Sequence, residues 1–178
     1  MRVYVWDLET TNLRSDIGTL TVACFGELRS DGTILRFYAN DIIEAGGERN
    51  LVRWTYQRIK EADILIGQNS VGFDKNFLNG LLARYNLPRL PKRIHLDTML
   101  AARYGGKFLY QSNSMENLAD IFRLPIKKYK PSKHDWREGN LLTPVALKRI
   151  RYRCKEDVKI TALLWFKLKE HYFNWRGT

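Results

Sequence analysis

The sequence predicts an α/β fold: a mixed sheet of about five strands flanked by helices and closed by a long C-terminal helix. Three observations predict it. Residues Arg2 to Leu8 are strand-like and apolar on both faces, which suits a central strand covered on each side. Two more strand-like runs, Thr19 to Leu28 and Ile34 to Ala39, are joined by Arg29-Ser30-Asp31-Gly32, whose Asp-Gly step signals a hairpin. Helical and strand-like runs then alternate before a helical C-terminal third, the order of a mixed sheet with helices packed on it.

The later elements follow in chain order. Leu51, Trp54, Tyr56 and Ile59 give residues Glu48 to Ala62 a helical spacing. Asp63 to Gly67 is a short strand, and Phe73 to Tyr85 is a helix that stops before Pro88. Arg93 to Leu96 makes a fifth strand, with Asp97 positioned to cap the helix after it. Ser114 to Phe122 is a short helix, and residues Leu124 to Leu142 read as a basic, proline-containing loop. Thr143-Pro144 opens the last helix, a capping residue followed by proline in the first turn, and the helical pattern runs to about Tyr172.

At 178 residues, 44% of them hydrophobic, the chain suits one compact domain spanning 1–178 and is too short for two. No apolar stretch is long enough to cross a bilayer as a helix, and acids interrupt the N-terminal apolar run too early for a secretory leader. Cys24 and Cys154 lie far apart without metal-ligand spacing, so reduced, buried thiols and a cytoplasmic setting (the nucleoid, or a host cell if the source is viral) are expected. Lys and Arg number 30 against 19 Asp and Glu, a net +11 that favours a polyanionic partner such as nucleic acid over a membrane.

Three acidic blocks carry the chemistry. Asp7 and Glu9 stand two apart on a strand, so both project from one face, where paired acids are costly unless a cation joins them. The apolar run Ile64 to Gly67 leads through Asn69 to Phe73-Asp74, an aromatic-acid pair opening a helix. In the last helix Val158, Thr161, Leu164 and Leu168 form an apolar stripe that Asp157 borders, which turns Asp157 toward the body of the protein. Glu156 is expected on the ordinary exposed surface.

Together these blocks resemble the DEDD superfamily of 3′–5′ exonucleases, which includes polymerase proofreading domains and stand-alone relatives. The family pattern is Asp-x-Glu on a first strand, Asn-x-x-x-Phe-Asp after a later strand, and a final Asp on a C-terminal helix. Here it reads Asp7-Leu8-Glu9, Asn69-Ser70-Val71-Gly72-Phe73-Asp74 and Asp157, in order from Val3 to Leu168. His95-Leu96-Asp97-Thr98 is similar to the strand-to-helix step many relatives carry between the second and third motifs. The resemblance implies a ribonuclease-H-like fold and a stand-alone 3′–5′ exonuclease domain. It also implies that Asp7, Glu9, Asp74 and Asp157 hold two divalent ions, Mg²⁺ or Mn²⁺, about 3.5–4 Å apart. One ion would lower the pKa of an attacking water and the other would stabilise the leaving 3′ oxygen, releasing nucleoside 5′-monophosphates. Thr10, Thr11, Asn69 and Phe73 would meet the terminal nucleotide.

The third motif departs from the family. One branch has Tyr four residues before the final Asp as general base, and the other has His five before it. This chain has Arg153 and Tyr152 at those positions. On a regular helix the residue four before Asp157 shares its face, and the residue five before is rotated away. Arginine stays protonated and cannot serve as a base. Tyr152 is the catalytic candidate if the helix begins or kinks nearby. A shifted register, with Glu156 as last ligand, is disfavoured because Val158, Thr161 and Leu164 follow Asp157 as in relatives. His134 from the loop is a third candidate, and an ion that activates water needs no strong side-chain base.

The loop 124–142 interleaves Lys127, Lys128, Lys130, Lys133 and Arg137 with Tyr129 and Trp136, a composition suited to a single strand, with cations on phosphates and rings under bases. It is expected near the active site. DNA with single-stranded 3′ ends is favoured over RNA by analogy with small DNA-directed relatives, and a polymerase or repair partner would act in trans. Two other readings stay open: a structure-specific endonuclease on the same fold, and a catalytically weak nucleic-acid-binding module.

Overall fold

A computed structural model describes residues 1–105 and 110–176, with side chains in the last helix to residue 171. The sheet has the order β3-β2-β1-β4-β5. Strand β1 (Val3–Thr10) takes the centre because Tyr4, Val5, Trp6 and Leu8 fill both of its faces with buried side chains. β2 (Leu20–Leu28) runs antiparallel to β1, setting Cys24 opposite Asp7 and Val22 opposite Glu9. β3 (Ile34–Asp41) returns antiparallel through the expected hairpin. Gly32 there has φ +89°, Asp31 Oδ1 accepts from the Thr33 amide at 2.9 Å, and Arg29 N donates to Thr33 O at 2.9 Å.

Beyond β1 the chain crosses over twice. Helix α1 (Glu48–Glu61) buries Leu51, Val52, Thr55 and Ile59, then delivers β4 (Ile64–Gly67) parallel to β1. Helix α2 (Asp74–Arg84) leads to β5 (Ile94–Asp97), parallel to β4. The parallel strands β1, β4 and β5 thus end on the same edge, the usual place for a site in an α/β sheet. Asp97 caps α3 (Thr98–Leu100) as expected, accepting from Met99 N at 3.0 Å and Leu100 N at 3.3 Å, and the helix widens into a π-helical turn over Ala101–Gly105.

Helix α4 (Met115–Ile121) starts at its expected cap, Ser114, which accepts from Asn117 N at 3.3 Å. The stretch read as loop between Leu124 and Leu142 contains a further helix, α5 (Lys133–Asn140). A reciprocal cap holds its start: Ser132 Oγ accepts from Asp135 N, and Asp135 Oδ2 accepts from Ser132 N, each at 3.0 Å. Gly139 lets α5 approach α6 (Pro144–Arg176) so closely that a β-carbon there would collide with Ile150. Helix α6 lies across β1, β2 and β3 and buries a wide arc, including Cys154, Val158, Thr161, Leu164 and Leu168. That arc also covers Glu156, contrary to the surface position expected for it. Glu156 is 8% exposed and pairs with Lys159 Nζ at 2.6 Å. Among the described residues no helix is long and apolar enough to cross a membrane.

Candidate metal centre and its cleft

The acids come from three elements: Asp7 and Glu9 from β1, Asp74 from the first turn of α2, and Asp157 from α6. Chain geometry at the end of β4 explains how Asp74 arrives. Asn69 adopts φ +60°, and its carbonyl accepts from Phe73 N at 2.9 Å, turning the chain back toward β1. Leu8 N then donates to Asp74 Oδ1 at 3.0 Å across the gap between β1 and α2. Asp97 holds the turn from the other side, its carboxylate accepting from Asn69 N at 2.9 Å and Val71 N at 3.0 Å. Sequence reasoning gave Asp97 only its helix cap; its second role depends on β5 lying beside β4.

Asp7, Glu9, Asp157, Lys128, Trp136 and Arg153 share a cleft of about 500 Å³. Its walls include Thr10, Asn69 and Phe73, so three of the four residues expected to meet a terminal nucleotide face the acids. Thr11 is used structurally instead, its hydroxyl accepting from Thr19 N at 3.0 Å. An adjoining cavity of about 400 Å³ shares Ser114, Lys128, Trp136 and Arg153 with the cleft and extends it past Lys130 and Lys133. Lys127 and His134 are exposed and line neither cavity. The condition set for Tyr152 is not met. Helix α6 starts at Pro144 and runs unbroken past Asp157, and Tyr152, 53% exposed, packs edge-to-face on Tyr129 with ring centres 5.2 Å apart.

The centre's own groups reveal its electrostatic state. Burial, followed by repulsion from Asp157, pushes the Asp7 carboxyl up to about 7. Burial, and then the Asp7 charge, raises Glu9 and Asp74 well above the usual carboxylate range. Burial raises Asp157 as well, against the pull of Lys128 and Arg153. Cys154, a member no motif announced, donates its thiol to Asp7 Oδ2 and to the Asp7 carbonyl, both at 3.3 Å. Burial raises that thiol too, so it stays protonated and acts as a donor.

Two cations already stand among the acids. One terminal nitrogen of Arg153 donates to both oxygens of Glu9, at 2.8 and 2.7 Å, and the other lies 3.3 Å from Asp157 Oδ2. Lys128 Nζ is also 3.3 Å from Asp157 Oδ2. The remaining oxygen, Asp157 Oδ1, is buried and has no hydrogen-bond partner among the described residues. The donor set therefore fits a hard divalent ion. Ligand atoms of Asp7, Glu9 and Cys154 lie within 4.8 Å of one another, oxygen predominates, and a buried lone pair on Asp157 is unmet.

No family model matches the chain, and no curated protein matches it. The fold does have a counterpart. It is similar to the structure of the family B DNA polymerase from the hyperthermophilic archaeon Pyrobaculum calidifontis, with a TM-score of 0.71 and 20% identity. The match covers 95% of this chain and 24% of the polymerase chain, so this chain spans about a quarter of that length. Such a likeness establishes fold alone, and the fold is ribonuclease-H-like.

Proposed function

We propose that the chain is a single-domain, divalent-metal-dependent 3′–5′ exonuclease that releases nucleoside 5′-monophosphates, with DNA bearing single-stranded 3′ ends as the favoured substrate. One observation carries the reading. Asp7, Glu9 and Asp157 from β1 and α6 line one cleft, Asp74 of α2 is held against β1 through Leu8 N, and Lys128 and Trp136 join that cleft to the cavity lined by Lys130 and Lys133. Phosphodiester hydrolysis needs positive charge at the attacked phosphate and oriented carboxylates behind it. Asp7, Glu9, Asp74 and Asp157 would hold the divalent metal, two ions by the family resemblance, which would supply charge neutralisation at the phosphate and activation of water. Lys128 and Lys130 would take the phosphate backbone, while Trp136 and Phe73 offer ring faces to bases. Thr10 and Asn69 would orient the terminal nucleotide.

The test is Mn²⁺-dependent degradation of labelled single- and double-stranded DNA and RNA, with free and blocked 3′ ends. Asp7→Ala should lower turnover by about 10²–10³-fold, the scale of losing a group that organises transition-state charge. Cutting that persists on 3′-blocked strands would make the chain an endonuclease, and activity surviving Asp7→Ala would sink the site. Tyr152→Phe in the same assay should keep turnover within about threefold of wild type, as its outward ring implies; a tenfold loss restores it as the base. A second reading, a catalytically weak nucleic-acid-binding module, is favoured by the Arg153 contacts to Glu9 and Asp157. It requires oligonucleotide binding without metal-dependent cleavage.

A further inference from the structure

Arg153 stands in an unusual relation to the acids around it. A guanidinium normally meets a carboxylate as a fork, two nitrogens on two oxygens. Here a single nitrogen sits on both oxygens of Glu9, at 2.8 and 2.7 Å, as a chelated cation would. Its second terminal nitrogen reaches Asp157, so one guanidinium bridges the β1 acid to the α6 acid. The side chain is also held from behind. Its guanidinium carbon lies 4.9 Å from the ring centre of Trp136, which α5 carries. The capping box of Ser132 and Asp135, the Asp135–Arg149 ion pair and the close approach at Gly139 dock α5 on α6. Arg153 is therefore clamped in place and 18% exposed, in contrast to a surface side chain that swings away at little cost.

Position fixes what this clamp does. Among the described residues, both Glu9 oxygens and Asp157 Oδ2 are met by the cations Arg153 and Lys128, while Asp157 Oδ1 has no hydrogen-bond partner and Asp7 Oδ2 meets the Cys154 thiol. A second dication would have to share the place between Glu9 and Asp157 with a guanidinium already held there, and like charges repel strongly in a desolvated cleft.

We propose that Arg153 is a built-in substitute for one of two metal ions, so that the centre takes a single divalent ion, held by Asp7 and Asp157 with Asp74 behind them. The inference rests on the exonuclease reading above and concerns the stoichiometry of its centre. Arg153 is a positioning and charge-balancing residue in this scheme: it keeps Glu9 and Asp157 together at the place where a second ion would otherwise bind.

The test counts ions directly by titrating Mn²⁺ into the metal-free chain and reading free Mn²⁺ by its paramagnetic resonance signal. Wild type should saturate at one ion per chain. Arg153→Met, which keeps the length and removes the charge, should take up two, or bind its second at least tenfold more tightly than wild type. Arg153→Lys should keep the count at one, which separates charge from mere occupancy. Two ions of similar affinity in wild type overturn the proposal and leave the exonuclease reading intact. No ion bound by wild type overturns both. Should Arg153→Met fail to fold, the wild-type count and the Lys variant still decide the matter.

Discussion

Two cavities divide the charge of this molecule around α2. In front of its first turn lies the carboxylate cleft; along its flank runs a groove of about 940 Å³ lined by Lys75, Arg89, Lys92, Arg93 and His95, with no acid in its wall. The groove is nearly twice the size of the cleft and carries the sign that dominates the chain. Arg89 and Lys92 are exposed and remain solvated. In the cleft Asp7, Glu9 and Asp157 share the space with Lys128 and Arg153, and burial pushes each of these three acids above its ordinary range. Desolvated acids, more than volume or net charge, single out the cleft as the place that could hold an ion.

Three measurements press on that contrast. The largest effect on stability is expected at Asp97, whose carboxylate carries the turn into Asp74. Asp97→Ala leaves the half-buried amides of Asn69 and Val71 without their acceptor and should cost about 1–3 kcal/mol in a urea or thermal melt, with weaker Mn²⁺ binding as a consequence. A loss under about 0.5 kcal/mol would mean that the turn is held by other contacts.

A smaller effect is expected from His95 on the groove side. Burial first, and the Lys75 charge second, lower its pKa to about 4. Between the ordinary value near 6.5 and that lowered one, the unfolded chain binds a proton that the folded chain refuses. The stabilisation is thus complete above about pH 6.5 and is lost as pH falls toward 4. Thermal melts from pH 7 to 4.5 should show a decline that His95→Phe flattens; an unchanged slope would acquit His95. The smallest effect is expected from Arg89→Ala with Lys92→Ala, which should leave stability within about 0.5 kcal/mol of wild type, because both side chains are solvated. A larger change would give the groove a structural role and end the contrast.

The sheet and its helices were legible because their signals are local. Alternation, turn residues and caps such as Asp31-Gly32, Ser114 and Thr143-Pro144 act within a few residues of where they stand. The loop assigned to 124–142 hid α5 although Ser132 and Asp135 spelled out its cap, because an eight-residue polar helix is marginal by itself and is stabilised by docking on α6. Glu156 shows the same limit. Its burial follows from how much of α6 the sheet covers, which helical spacing alone does not state.

For the candidate site, the sequence by itself determined the order of Asp7, Glu9, Asp74 and Asp157 along the chain and the place of Arg153 on the face of Asp157, since one strand and one helix fix those relations. Only the tertiary structure decided where Arg153 points, that Cys154 donates to Asp7, and that Asp97 braces the turn into Asp74. Those contacts join residues as much as 147 positions apart. Their energies depend on desolvation and on ångström-scale distances that exist only once β1, α2 and α6 have been packed together.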